Sequence, residues 1–341
     1  MNLATKYRPR AFDEVVAQTY VKEILLNQLE TGDIKHAYLF CGGAGTGKTT
    51  TARIFANDVN EGKGNPIEID AASNNGVENV RHIIEDSKFK AMDSEYKVYI
   101  IDEVHMLSTG AFNALLKTLE EPPSGTVFIL CTTDPQKIPD TILSRVQRFD
   151  FTRIENESIV NQLQFIIESE NEEGAGYTYT TDALSFIGKL ANGGMRDSIT
   201  RLEKVLDYGD DVNMEAVAQA LGVPDYNQFV DMVQSIADFQ ATSCLRILDS
   251  LYMGGKDLKL VIRNFTDFLL DICKYNLVKD ISMTQLPEHL EDAVKQFCKD
   301  LTADTLLWML EEMNELSSTI KWEPNAKPII ETKLLLMCKE G

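Results

Sequence analysis

"YLFCGGAGTGKTTTARI", residues 38–54, sets the apolar run Tyr38 to Cys41 directly before a glycine-rich turn, a lysine and three threonines. The spacing Gly42-x-x-x-x-Gly47-Lys48-Thr49 is that of a phosphate-binding loop. In such a loop glycines let backbone N–H groups converge on an anion at a helix N-terminus. The apolar run reads as a buried strand, and Thr50 to Asn57, with Ala52, Ile54, Phe55 and Ala56, continues as a helix. Strand, loop and helix therefore stand in the order that the chemistry requires. On this reading Gly42, Gly43, Ala44, Gly45, Thr46, Gly47, Lys48, Thr49 and Thr50 cradle ATP. Lys48 neutralises the β- and γ-phosphates, the Thr49 hydroxyl ligates magnesium, and the helix dipole favours the anion. A glycine-rich turn without a ligand would have no use for a Lys-Thr pair at that offset.

Working outward, residues 1–151 alternate strand-like apolar runs with helical patterns, the signature of a doubly wound α/β domain with a parallel sheet. The expected strands are 37–41, 66–70, 97–102, 126–132 and 147–151. After Thr152 the strand signals fade and helical periods dominate from Glu157 to Leu221. "LGVPDY", residues 221–226, supplies a Gly and a Pro that end one helix and open a linker or the next helix. The expected division is 1–152 as the α/β domain, 153–222 as a small helical domain and 223–341 as a second helical domain. In the last, Leu306, Met309, Leu310, Met313, Leu316 and Ile320 recur at helical spacing and form a packing face.

The 341 residues suffice for about two or three domains, and a 44% hydrophobic content is ample for buried cores. No apolar run approaches the roughly 20 residues that span a bilayer, and "MNLATKYRPRAFDEV" lacks a signal-peptide core. A cytoplasmic protein without a membrane partner is expected. The six cysteines, at 41, 131, 244, 273, 298 and 338, form no C-x-x-C pair, so they read as small buried hydrophobes, with no zinc site expected. A net charge of −20, from 53 acidic and 33 basic residues, argues against indiscriminate coating of nucleic acid. It leaves room for a local basic path, and "TKYRPR", residues 5–10, is one short basic cluster.

A second constellation is "KVYIIDEVHML", residues 97–107, where a buried strand ends in two adjacent carboxylates. Beside a phosphate loop, Asp102 can hold the magnesium ion or its water, while Glu103 orients and deprotonates the attacking water. His105 makes the run look like the D-E-x-H box of helicases, but no further helicase motif accompanies it. It reads as structural or coupling rather than catalytic.

Six stretches then carry a specific resemblance. "KYRPRAFDEVVAQ", "HAYLFCGGAGTGKTTTARIFA", "IEIDAASNNGVENVR", "KVYIIDEVHMLSTGAFNALLKTLEEPP", "TTDPQKIPDTILSR" and "GGMRDS" closely resemble, in order, the bacterial gamma/tau subunit of the DNA polymerase III clamp loader. That family belongs to the AAA+ ATPases, and the match runs from Lys6 to about Asp207. The resemblance implies a helical lid after the α/β domain and an all-α, oligomerising collar after the lid. It further implies an ATP-driven machine that opens a ring-shaped sliding clamp, places it on primer-template DNA and hydrolyses ATP to let go. Its partners would be companion subunits in a pentameric assembly, the clamp and the DNA.

Further roles follow from the matched motifs. Thr133 in "CTTDPQK" falls at the sensor 1 position, which helps position the γ-phosphate and the attacking water; asparagine is usual there in other AAA+ proteins. Arg145 in "LSRV" falls at the arginine finger, acting in trans on a neighbouring subunit's nucleotide, with Val146 in place of the usual cysteine. Arg196 in "GGMRDS" falls at sensor 2, reading the nucleotide from the lid. Arg8, Pro9 and Val16 are expected to cover the adenine, although Ala17 stands where glycine is common. By analogy Thr109, Lys137 and Thr141 are nominated for DNA phosphates, with helix capping as the competing use of the threonines. Phe89 and Met92, in "SKFKAMDSE", are nominated for the clamp, with core packing as the alternative.

Two departures stand out. The four-cysteine zinc module that relatives insert after the phosphate-loop helix is replaced by "NDVNEGKGNPIEID", and the tau-type extension is not expected beyond Gly341. A trimmed loader of this kind suits a virus of bacteria or a compact genome. The competing functions are another AAA+ DNA-transaction ATPase, such as a branch-migration motor or helicase loader, and a non-hydrolysing scaffold subunit of a loader. The motor would bring a basic winged-helix module that is not visible, and intact Lys48, Thr49, Asp102 and Glu103 argue against the scaffold.

Overall fold

Three strand segments, at 37–42, 97–102 and 126–132, carry nearly continuous apolar runs, and the computed structural model explains why: they form the centre of a five-stranded sheet, buried there on both faces. The structure describes residues 2–222, 226–286 and 290–339. The strands are β1 (Ala37–Gly42), β2 (Ile67–Asp70), β3 (Lys97–Asp102), β4 (Thr126–Thr132) and β5 (Gln147–Phe151). All pair in parallel in the order β2-β3-β4-β1-β5. Successive residues of a strand face opposite ways. Tyr38 and Phe40 accordingly join one core with Phe149 and Phe151, while Leu39 and Cys41 join the other with Tyr99 and Phe128. Each fully buried side chain of this size contributes about 1.5–3 kcal/mol relative to exposure.

The covering helices follow the doubly wound pattern. Ahead of β1 run α1 (Leu3–Lys6) and α2 (Thr19–Thr31); α3 (Lys48–Val59) follows β1, α4 (Val77–Ser87) follows β2, and α5 (Thr109–Glu120) follows β3. Helices α2 and α3 seal the Tyr38 face through Val21, Leu25, Ala52 and Phe55. On the Leu39 face, α4 and α5 contribute Val80, Phe112, Leu115 and Leu119, with Ile142 from the short α6 (Asp140–Leu143). Because β1 lies between β4 and β5 while β2 and β3 lie beyond β4, the strand order reverses beside β1. Ligands of open α/β sheets bind at the carboxyl ends of strands at such a switch point.

After β5 come α7 (Asn156–Glu172), β6 (Thr178–Tyr179), α8 (Thr181–Leu190), α9 (Met195–Tyr208), β7 (Asp211–Val212) and α10 (Met214–Leu221). The two-residue strands β6 and β7 pair with each other, an element too short to leave a period in the sequence. Helix α10 ends at Gly222 in the left-handed conformation, φ 64°. Val223, Pro224 and Asp225 of the expected break lie outside the described residues. The chain divides into two compact units, Met1–Ala175 with Ala191–Glu203, and Gly176–Leu190 with Lys204–Gly341. The stretch 153–222 is thus shared between the two units.

The second unit holds α11 (Tyr226–Ala237), α12 (Ala241–Met253), α13 (Leu258–Val278), α14 (Glu291–Asp300), α15 (Ala303–Ile320) and α16 (Lys327–Met337). Their apolar faces meet in one core. Leu306, Met309, Met313, Leu316 and Ile320 are buried in it, with Leu310 at its rim. Five of the six cysteines are buried, and Cys298 is half-buried.

Candidate active site

Helix α3 begins at Lys48, so its unpaired N-terminal amides open onto the turn that leaves β1. Two glycines there are dictated by close approach. A Cβ on Gly42 would lie 2.5 Å from the Phe151 carbonyl oxygen. Gly45 adopts φ +72°, and a Cβ there would meet Gly194 Cα at 3.1 Å. The Met195 amide donates to the Gly45 carbonyl at 3.0 Å, so the turn before α9 rests backbone to backbone on the phosphate loop.

Beside this turn lies a cavity of about 540 Å³. Residues 44–50 form its floor, with Arg8, Pro9, Val16, Arg53, Asp102, Glu103, Gln162, Met195 and Arg196 among its walls. The lysine is buried and donates to the carbonyls of Gly42 at 2.8 Å and Gly43 at 2.7 Å, which draws it back along the loop. Burial lowers its proton affinity, and Glu103 works in the opposite direction.

The adjacent carboxylates are divided between two tasks. Thr49 Oγ1 donates to Asp102 Oδ2 at 2.8 Å, and the Glu103 amide donates to Asp102 Oδ1 at 3.0 Å. Glu103 itself sits at φ 47°, in the left-handed region that non-glycine residues rarely adopt, at the turn out of β3. Its Oε2 accepts from Thr133 Oγ1 at 2.8 Å and from the Thr133 amide at 3.3 Å, and lies 3.2 Å from His105 Nδ1. His105 Nδ1 also lies 3.1 Å from Thr132 Oγ1. The end of β4 thus fixes the Glu103 carboxylate, which explains the use of a polar residue at Thr133.

The N-terminal arm reaches the cavity because it is tied down behind it. Asn2 Nδ2 and the Leu3 amide both donate to Glu203, Tyr7 Oη donates to Glu170 Oε1, and Lys6 Nζ is paired with Glu170 at 2.9 Å. The arm delivers Arg8 and Pro9 to one wall. Burial lowers the proton affinity of Arg8, and the neighbouring guanidinium groups of Arg53 and Arg196 lower it further. Three arginines thus crowd one cavity of a chain whose net charge is −20. The donor set suits a magnesium nucleotide. A hydroxyl and a carboxylate supply hard oxygens at Thr49 and Asp102, and the excess positive charge around them suits a polyphosphate.

Other expected residues stand elsewhere. Arg145 Nη1 donates to the Thr141 carbonyl and to Ser144 Oγ, and Nη2 to Glu120 Oε1 at 2.6 Å, away from the lining of its own cavity. Thr109 is exposed in the first turn of α5, where Ser108 is the cap. Lys137 Nζ lies 3.1 Å from Asp134, and Thr141 is exposed. Phe89 and Met92 are 70% and 97% exposed, so neither is a core residue.

Two residues at the site escaped sequence reasoning. Ala17 and Gln18 both adopt left-handed backbone, φ 59° and 55°. That turn buries the Gln18 amide, which donates to the Thr46 and Thr152 carbonyls at 3.3 and 2.8 Å and accepts from the Thr152 amide at 3.1 Å. Gln18 therefore clips the phosphate loop to the end of β5. Arg53 is the other, and its signal was present in its spacing, four residues after Thr49 on one helix.

Residues 65–155 match the family described as DNA polymerase III, delta subunit, and residues 212–313 match DNA polymerase III subunits gamma and tau domain III. The chain is 36% identical to DNA polymerase III subunit tau of Bacillus subtilis, over 98% of this chain and 62% of that protein. It therefore spans about three fifths of that relative's length. It is 31% identical to DNA polymerase III subunit gamma of Buchnera aphidicola subsp. Schizaphis graminum, over 98% of this chain and 96% of that one. Among solved structures, the Thermotoga maritima RuvB Holliday junction branch migration motor shares the fold at a TM-score of 0.53. The identity there is 19%, over 67% of this chain and 79% of that one. No helix among the described residues is long and apolar enough to cross a membrane.

Proposed function

The chain belongs to the DNA polymerase III gamma/tau family, and from that membership we propose that it is the ATP-hydrolysing subunit of a sliding-clamp loader. Its work would be to open the clamp and place it on primer-template DNA, within a pentameric assembly of loader subunits. The domain order proposed for that work is 1–152 as the AAA+ α/β domain, 153–222 as the lid and 223–341 as the collar.

The observation that carries the hydrolytic part is the division of labour between Asp102 and Glu103. Asp102 is committed to Thr49, the pair that would hold magnesium, while Glu103 is held by Thr133 and His105 through Oε2 alone. That leaves Oε1 to take a proton from the attacking water. Magnesium, when bound, supplies charge neutralisation on the phosphate oxygens. Lys48 leaves its loop carbonyls for the β- and γ-phosphates, Arg196 contacts the nucleotide from the lid, and Arg8, Pro9 and Val16 cover the base. Arg145 acts on the neighbouring subunit's nucleotide. Its place outside the lining of its own cavity supports a role in trans.

The match to gamma and tau domain III over residues 212–313 favours a loader over a branch-migration motor, with which the chain shares the fold. Thr109, Lys137 and Thr141 are proposed to meet DNA phosphates, and the exposed Phe89 and Met92 the clamp. Glu103→Gln tests the catalytic assignment. It should bind ATP as wild type does, as measured by calorimetry, and lose hydrolysis by at least a hundredfold. Undiminished hydrolysis would remove Glu103 from the role of base.

A further inference from the structure

Arg53 is the one cationic wall of the cavity with no part in the machinery described so far. It lies on α3 three residues beyond Thr50 and four beyond Thr49, so its side chain neighbours each of theirs on the helix surface. That places Arg53 one turn, about 5.4 Å, beyond the amides that receive the phosphates. Its Nη2 donates to Glu68 Oε2 of β2 at 2.6 Å. Its Nε, by contrast, is buried without a hydrogen-bond partner among the described residues. An unpaired guanidinium N–H in a buried position is costly, and beside Arg8 and Arg196 the like charges add to that cost. An anion in the cavity would offset the crowding of these like charges.

We infer that Arg53, braced by Glu68, is a nucleotide-binding residue that grips the α-phosphate, the anionic group common to ADP and ATP. The inference rests on the nucleotide-binding function proposed for this cavity. Position along the helix selects the α-phosphate. The γ-phosphate belongs at the Glu103 end, next to Lys48 and Thr49, and the chain of phosphates runs away from it past Thr50 toward Arg53. Glu68 holds Nη2 at one edge of the guanidinium fork, and Arg53 still lines the cavity. Such a contact is the same before and after hydrolysis, so it raises affinity uniformly and serves retention of nucleotide through the cycle rather than the chemical step.

Calorimetric titration of the full chain with unlabelled ADP and with a non-hydrolysable ATP analogue tests this. Arg53→Ala should raise Kd for both ligands by a similar factor, about tenfold, with the loss of activity falling on KM more than on kcat. Arg53→Lys should fall between, and Glu68→Gln should weaken both ligands about two- to threefold by freeing the fork. Thermal melts should show every variant folded, since the Arg53–Glu68 pair is part-exposed. Unchanged Kd values in Arg53→Ala would reduce Arg53 to a partner of Glu68 and overturn the inference. Weakening of the ATP analogue alone would move the contact to the γ-phosphate and overturn it equally. Failure of the wild-type chain to bind either nucleotide would instead sink the function on which the inference rests.

Discussion

Replacing Thr133 by valine keeps the shape at the end of β4 and removes one hydroxyl, the shortest of the contacts to Glu103 Oε2 at 2.8 Å. The amide of residue 133 at 3.3 Å and His105 Nδ1 at 3.2 Å remain, so the carboxylate is loosened and not released. A hydrogen bond to a charged acceptor contributes about 1.5–3 kcal/mol. With two of three contacts retained, the lower half of that range applies, about 1.5–2 kcal/mol. If that energy serves to aim Glu103 in the transition state, Thr133→Val should lower the hydrolysis rate about ten- to thirtyfold, at roughly 1.4 kcal/mol per decade. Binding of ATP should change less than twofold, because the hydroxyl faces the carboxylate. Thr133→Ser, which keeps the donor, should retain most of the rate. The assay is single-turnover hydrolysis in the assembled complex, with nucleotide affinity measured separately by calorimetry. A valine variant that hydrolyses within twofold of wild type, or one that loses affinity by the same factor as rate, would refute the assignment of Thr133 to Glu103.

Three further outcomes are expected. Gln18→Ala, which strips the partners from the Thr152 amide and carbonyl at a buried position, should destabilise the first unit by about 1–3 kcal/mol in urea melts. An unchanged midpoint would show that water replaces the clip. Arg145→Ala should leave thermal stability within about 1 kcal/mol, its pair with Glu120 being exposed, while lowering hydrolysis in mixed assemblies by about 10³ to 10⁵ at the neighbouring site. Loss confined to the mutated subunit's own nucleotide would contradict action in trans. Asp86, which lies 2.8 Å from Lys97 Nζ and accepts from Tyr99 Oη, has its carboxyl held below the usual range, by Lys97 first and Tyr99 second. The folded value lies below the unfolded one, near 3.9. Its stabilising contribution is therefore complete above about pH 4 and lost as the pH falls further. Asp86→Asn should flatten the acid limb of stability below about pH 4, and an identical limb would show that the carboxylate contributes nothing there.

The centre of the parallel sheet was legible because both of its faces are buried there. Tyr38 to Cys41 and Thr126 to Thr132 leave uninterrupted apolar runs that no helix period imitates, and the glycine spacing located the phosphate loop. The β6–β7 pair left no such trace, since two residues cannot show a period. Composition could not tell whether Phe89 and Met92 were core or surface, because an apolar residue in an irregular segment carries no facing signal. Their exposure comes only from the folded chain. The clip by Gln18 was invisible for another reason. It joins residues 134 apart through a left-handed turn at Ala17 and Gln18, where neither residue type announces that backbone. The meeting of Thr133 with Glu103 is likewise made by the neighbouring ends of β3 and β4, and only the resemblance to the clamp-loader family nominated Thr133 from sequence. Arg53 could have been found from its position on the Thr49 helix face, but the charge crowding that gives it meaning needs Arg8 and Arg196 brought to the same wall.

The central claim is that hydrolysis by this chain serves a clamp. The most direct measurement is steady-state ATP hydrolysis by the purified protein with its companion subunits, alone, with sliding clamp, with primed DNA, and with both. A slow basal rate that rises strongly only when clamp and primed DNA are present together is the expected result. A rate indifferent to the clamp would contradict the account.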